Sequence, residues 1–105
     1  MKRREIFAGN WKMYKTSGEA EQLVAGLKSG ITEKPGREYV LFPPATALSY
    51  VSELCRNSRF KTGAQNMYFE KEGAFTGEIS PAMVKDCGCS FILIGHSERR
   101  HVFHE

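Results

Sequence analysis

Apolar residues along the chain gather into short continuous runs, separated by stretches with a helical stripe. Ile6-Phe7-Ala8 stops at Gly9, Tyr39-Val40-Leu41-Phe42 stops at Pro43-Pro44, and Phe91-Ile92-Leu93-Ile94 stops at Gly95. Runs of this length bounded by turn residues predict strands buried on both faces, the pattern of a parallel sheet. Phe60 to Gln65 is less apolar and contains Gly63, which permits close backbone approach within a strand. Strands are therefore expected near residues 5–9, 38–42, 60–65 and 90–94.

The intervening stretches change period. Ala20, Leu23, Val24 and Leu27 follow the i, i+3, i+4, i+7 spacing of one helical face. Thr16 with Glu19 three residues on forms a capping box at its start, and Gly30 is placed to end it. A second helix follows Pro43-Pro44, with Leu48, Val51, Leu54 and Cys55 on its apolar side. Ser80-Pro81 opens a short third helix that runs to about Cys87 and ends at Gly88. Strands thus alternate with helices, and a further helix starts after Gly95. Such alternation predicts an α/β chain with a parallel sheet and right-handed crossovers, organised as one domain over residues 1–105.

Composition narrows the possibilities without changing this picture. The 105 residues suffice for one small domain, and 41% hydrophobic with 26% charged residues is ordinary for a soluble chain. Fifteen Lys and Arg stand against twelve Asp and Glu, a formal charge of +3 with no basic block. That balance predicts a mixed solvated surface and no nucleic-acid partner. No apolar core of signal-peptide length follows Met1-Lys2-Arg3-Arg4, and no run approaches membrane-spanning length, so no membrane association and a cytoplasmic location are expected. The odd count of cysteines, Cys55, Cys87 and Cys89, argues for a reducing compartment rather than a disulfide framework. Cys87, Cys89, His96, His101 and His104 lie close in sequence, but Cys-Gly-Cys lacks the usual two-residue gap and an apolar run separates it from the histidines; no metal and no cofactor are expected.

The candidate chemistry sits where apolar runs end. After Gly95 come His96, Ser97, Glu98, Arg99 and Arg100, and after Gly9 come Asn10 and Lys12, which share a face in extended chain. A buried strand that delivers titratable groups at its carboxyl end is how α/β enzymes build active sites. Each residue also has an ordinary reading: His96 a loop histidine, Lys12 a surface lysine, Glu98 a first-turn glutamate favoured by the helix dipole. Ser97 is expected to cap the last helix, and Arg99 and Arg100 to make structural ion pairs. The long connection 66–79 carries Met67, Tyr68, Phe69 and Phe75, too much apolar surface for a disordered loop, and it is expected to meet a partner surface.

Four stretches, Ala8-Gly9-Asn10-Trp11-Lys12-Met13, Gly63-Ala64-Gln65-Asn66, Gly73 to Pro81, and Ile94-Gly95-His96-Ser97-Glu98-Arg99-Arg100, together resemble the triosephosphate isomerase family. The resemblance implies the amino-terminal half, (βα)3β, of a TIM (β/α)₈ barrel, a fold that needs about 250 residues when complete. It implies interconversion of dihydroxyacetone phosphate and glyceraldehyde 3-phosphate by proton transfer through an enediol or enediolate. His96 would polarise the carbonyl as neutral imidazole; this family is the standard case of a histidine kept neutral at a helix N-terminus, and the role is taken from it. Lys12 would stabilise negative charge on the carbonyl oxygen and the phosphate, Asn10 would bind substrate and fix Lys12, and Glu98 would pair with Lys12. Phe75 and Thr76 would lie on a loop that docks into a partner subunit near its Asn10 and Lys12, giving a homo-oligomer. The carboxylate base, the lid and the phosphate loops are not among the four motifs, so the 105 residues by themselves are expected to be inactive. The alternative is an inactive half-barrel module that associates with itself or with a complementary half.

Overall fold

Each apolar run pairs with the next to give a four-stranded parallel sheet in the order β1-β2-β3-β4. The computed structural model describes residues 3–105. Its elements alternate as β1 (Glu5–Asn10), α1 (Ser17–Gly30), β2 (Arg37–Phe42), α2 (Ala45–Leu54), β3 (Phe60–Ala64), α3 (Pro81–Asp86), β4 (Phe91–Ile92) and α4 (Ser97–His101). Four parallel strands with alternating helices form a curled half-barrel, part of a TIM barrel. The register runs from Glu5 against Arg37 to Asn10 against Phe42, then Tyr39 against Phe60, then Gly63 against Phe91.

Local signals set the helix starts. At α1 the Glu19 carboxylate accepts both the Thr16 backbone N–H and the Thr16 hydroxyl, each at 3.0 Å. At α3 the Ser80 hydroxyl oxygen accepts the Met83 N–H at 3.2 Å, with Pro81 in the first turn where its missing N–H costs nothing. Gly88 follows α3 at φ +92°, a left-handed conformation that glycine adopts without penalty.

Alternation along β2 divides its side chains between two layers. Tyr39 and Leu41 join Trp11, Val24, Val51 and Phe60 in a cluster between the sheet and helices α1 and α2. A second cluster, Leu48, Ala64 and Val84 with Ile79 and Ile92 against it, joins α2 and α3 to β3 and β4. Val40 and Phe42 point to the opposite side. There the Phe42 ring occupies the space over Gly63: a Cβ at that position would come within 2.3 Å of the ring and 2.7 Å of the Phe91 carbonyl oxygen. Gly63 thus lets an aromatic ring and a neighbouring strand close over the same point.

The fourth strand is shorter than its sequence suggests. β4 pairs over Phe91 and Ile92, one further ladder bond links the Leu93 N–H to the Ala64 carbonyl at 2.9 Å, and Ile94 is 82% exposed. Among the described residues β4 has one neighbouring strand, and its other flank is unpaired. Among the same residues no helix is long and apolar enough to cross a membrane.

Candidate active site at the carboxyl ends of the strands

The chain leaves β1 through a turn that places Lys12. Trp11, buried in the core, donates its N–H to the Phe42 carbonyl at 3.1 Å and carries the β1–β2 ladder one step beyond the strand. Lys12 then adopts φ +55°, a left-handed conformation that costs a residue with a side chain roughly 1–2 kcal/mol. Asn10 Oδ1 accepts the Lys12 N–H at 2.9 Å. The Asn10 side chain thus holds the Lys12 backbone from two residues away.

On the far side of the sheet, Gly95 at φ +66° turns the chain from β4 into α4. The cap of α4 is His96 itself rather than Ser97: the imidazole Nδ1 accepts the Glu98 backbone N–H at 3.1 Å. The bond requires Nδ1 without a proton, so the ring proton of the neutral tautomer sits on Nε2. Glu98, one residue into the helix, reaches back across the sheet. Its Oε1 lies 2.8 Å from Lys12 Nζ, so the ends of the first and fourth strands are joined by an ion pair.

Each partner tunes the other. The hydrogen bond from Lys12 holds the Glu98 carboxyl below the usual carboxylate range, and the same bond holds the Lys12 ammonium above its ordinary value. Both side chains remain roughly half exposed, at 50% and 44%, so solvent screens the pair. Asn10, Lys12, Gln65, Leu93, His96 and Glu98 line one cleft of about 260 Å³. A carboxylate held low in pKa and already bound to an ammonium is a poor proton acceptor. The cleft thus offers hydrogen-bond donors and positive charge to an anionic or carbonyl ligand, and its own carboxylate is occupied.

Gln65 is a site residue to which sequence reasoning gave no role. Its Nε2 donates to the carbonyls of Lys12, at 2.7 Å, and Phe42, at 2.8 Å. Its place within the Gly63-Ala64-Gln65-Asn66 motif was the one signal that could have singled it out. Arg99 also borders the cleft, ion-paired with Glu105 through Nε to Oε2 at 2.9 Å and stacked over Phe103. Phe75 and Thr76 stand apart from the cleft, exposed on the 66–79 connection. Phe75 packs on Tyr68 with centroids 4.4 Å apart, Tyr68 packs on Phe69, and the Tyr68 N–H donates to the Ile79 carbonyl, closing the loop at its base.

A larger cleft, about 490 Å³, lies at the amino ends of β3 and β4 between α2 and α3. Ser52 and Thr62 line it with their hydroxyl oxygens 2.7 Å apart, and the Cys89 sulfur approaches both hydroxyls. Burial pushes the Cys55 and Cys87 thiols up, which makes them less reactive. The titratable groups expected from the sequence converge at the other end.

The family model described as triosephosphate isomerase matches residues 5–105. The triosephosphate isomerase of Roseiflexus sp. (strain RS-1) is 50% identical over 103 residues, covering 98% of this chain and 41% of the relative. That of Chloroflexus aurantiacus is 54% identical over 100 residues, covering 95% and 40%. That of Trichodesmium erythraeum is 52% identical over 104 residues, covering 98% and 43%. The chain spans about two fifths of the length of these curated relatives. With the family model matched along nearly its whole length and these strand ends brought together, the chain belongs to the triosephosphate isomerase family.

Proposed function

We propose that these residues supply the electrophilic half of an isomerase site, for interconversion of dihydroxyacetone phosphate and glyceraldehyde 3-phosphate through an enediol or enediolate. The observation that carries the reading is the joining of Lys12 to Glu98 beside a His96 whose Nδ1 is already engaged. Proton removal next to a carbonyl leaves charge on the carbonyl oxygen, and preorganised donors lower that barrier. His96 Nε2–H is such a donor, and Lys12 supplies the positive charge for the same oxygen and for a phosphate. Asn10 holds Lys12 and binds substrate.

A carboxylate base and a phosphate-binding loop complete such a reaction, and a complementary half of a barrel supplies them. A positioned general base contributes about 10²–10⁴-fold, and lost positioning of substrate adds to that deficit. The 105 residues assayed by themselves are therefore expected to show no enzymatic turnover of either triose phosphate. Mixed with the carboxyl-terminal three fifths of a relative, they are expected to regain it, and Lys12→Met should remove the gain. Turnover by the 105 residues alone, or a complemented enzyme indifferent to Lys12→Met, would refute the assignment.

A second reading, a non-catalytic half-barrel that associates with itself, is favoured by one feature. Among the described residues β1 and β4 each pair on one side, and Ile6 and Phe7 on β1 are 55% and 49% exposed. Unpaired strand edges and exposed apolar groups recruit a further copy of the chain. A homo-oligomer is expected on either reading, through these edges, through Phe75 and Thr76 on the 66–79 loop, or through both. The complementation assay separates the two readings.

A further inference from the structure

The carbonyl and the N–H of Lys12 are both held by side-chain amides, one from its own turn and one from the residue that follows β3. Asn10 Oδ1 takes the N–H at 2.9 Å, and Gln65 Nε2 takes the carbonyl at 2.7 Å. The second Gln65 Nε2 proton goes to the Phe42 carbonyl at 2.8 Å, which also accepts the Trp11 N–H. A primary amide nitrogen has two protons, and here each has its acceptor. The two lone pairs of the Phe42 oxygen are likewise both engaged. Gln65 follows directly on β3, whose Gly63 and Ala64 are buried, so its backbone is fixed by the core.

We propose that Gln65 is the positioning residue that keeps Lys12 in its left-handed backbone and thereby aims the Lys12 ammonium across the sheet at Glu98. Packing cannot do this, because the Lys12 side chain is half exposed on a flexible four-carbon stem. Its direction comes from the backbone, and a φ of +55° is not one that lysine holds unaided. Release to negative φ swings Cβ and carries the ammonium away from the carboxylate. The chemistry also fixes the residue type. A carboxylate at position 65 would face two carbonyl oxygens with no proton to offer. A methionine would match the length and offer no donor. The purpose of the device rests on the isomerase reading, but its content rests on the hydrogen bonds alone.

The test is nuclear magnetic resonance on the isotope-labelled 105-residue chain. In the wild type, couplings across the hydrogen bonds should connect Gln65 Nε2 to the carbonyl carbons of Lys12 and Phe42; their absence would overturn the proposal, whether or not any variant folds. In Gln65→Met, the backbone coupling that reports φ at Lys12 should leave its left-handed value. The Glu98 carboxyl, which is faced by Lys12 and His96, should then titrate nearer its ordinary value of 4.5. Ser80→Ala, which removes the cap of α3 away from the cleft, should destabilise the chain and leave both readouts in place. A folded Gln65→Met with unchanged Lys12 coupling and Glu98 titration would overturn the proposal. In the complemented enzyme, Gln65→Met should lower kcat by about a hundredfold with a smaller change in KM, as a misplaced charge does. Failure of the wild type to be complemented would count against the isomerase reading alone, since the resonance experiment decides Gln65 without turnover.

Discussion

Two stretches of this chain have nearly the same sequence pattern and opposite fates. Tyr39-Val40-Leu41-Phe42 and Phe91-Ile92-Leu93-Ile94 are both four apolar residues followed by a chain-turning residue. In β2 all four are buried, with Val40 at 1% and Phe42 at 5% exposure. In and after β4, Phe91, Ile92 and Leu93 are half-buried and Ile94 is 82% exposed. The difference is position in the sheet. β2 has β1 and β3 on its two flanks, with helices α1 and α2 over one face and its own Phe42 ring folded over Gly63 on the other. β4 has β3 on one flank. An apolar run states a requirement for burial, and neighbours decide whether it is met.

What holds the two stretches differs accordingly. The centre is held by apolar packing, whereas the end of β4 is held by polar links: Lys12 to Glu98 across the sheet, and Arg99 to Glu105 within the segment that follows. Truncation should expose the contrast most sharply. Phe42→Ala removes a buried ring and leaves a cavity over Gly63, so it should cost about 3–5 kcal/mol. Ile94→Ala removes side chain that is already in solvent and should change stability by less than about 0.5 kcal/mol. Urea unfolding of the two variants checks this. Equal losses would mean that Ile94 has a partner surface in solution.

The fold was legible in the sequence where burial follows from local pattern. The runs 6–8 and 39–42, the stripe through Ala20, Val24 and Leu27, and the caps at Thr16 and Ser80 each carry their own signal within a few residues. The length of the fourth strand was not legible, because it depends on how many neighbours the strand has. The site divides the same way. Asn10, Lys12, His96 and Glu98 lie just past apolar runs, and the resemblance named all of them. That His96 rather than Ser97 caps α4 is a matter of side-chain geometry, since either side chain can accept a backbone N–H of the first helical turn. Gln65 was invisible in its role, because its partners lie 53 and 23 residues away and are backbone carbonyls, which carry no residue identity.

Acid should separate the two regions more gently than truncation does. Lys12 lowers the folded-state value of Glu98 below its ordinary 4.5, so the stabilisation is full above that value and is lost as pH falls through the lowered one. Arg99 lowers Glu105 in the same sense, so both links at α4 weaken together. In the other direction, Glu98 raises Lys12 above 10.5, and that contribution is complete below 10.5 and lost as pH rises through the raised value. Between these limits the carboxyl end of the sheet is held. On acidification, hydrogen exchange of the α4 amides should accelerate before that of β2 and β3. Glu98→Gln should bring part of that acceleration to neutral pH. High salt should do likewise to the half-exposed pair. Exchange that accelerates uniformly across all four strands would show that the pair does not define a separate unit.

The smallest effect on stability should come from the exposed apolar groups of the 66–79 loop, the third setting in which large apolar side chains occur here. Phe69 is 75% exposed and Phe75 40% exposed, yet both pack on Tyr68 within the loop, at centroid distances of 4.6 Å to Phe69 and 4.4 Å to Phe75. Phe75 is also the ring that a Cβ on Gly73 would strike, so it helps shape the loop. Phe69 makes the larger contribution to exposed surface and the smaller one to loop shape. Phe69→Ser should therefore shift unfolding by less than about 0.5 kcal/mol. Phe75→Glu with Thr76→Arg should loosen the loop and place opposed charges on the surface that is expected to dock. If Phe75 and Thr76 carry self-association, sedimentation at micromolar protein should show the paired substitution reducing it, with urea unfolding of the centre unchanged. Association that survives the paired substitution intact would move the contact to the β1 edge at Ile6 and to Ile94 beyond β4. The exposed run after β4, rather than the loop, would then be the apolar surface that lacks its neighbour.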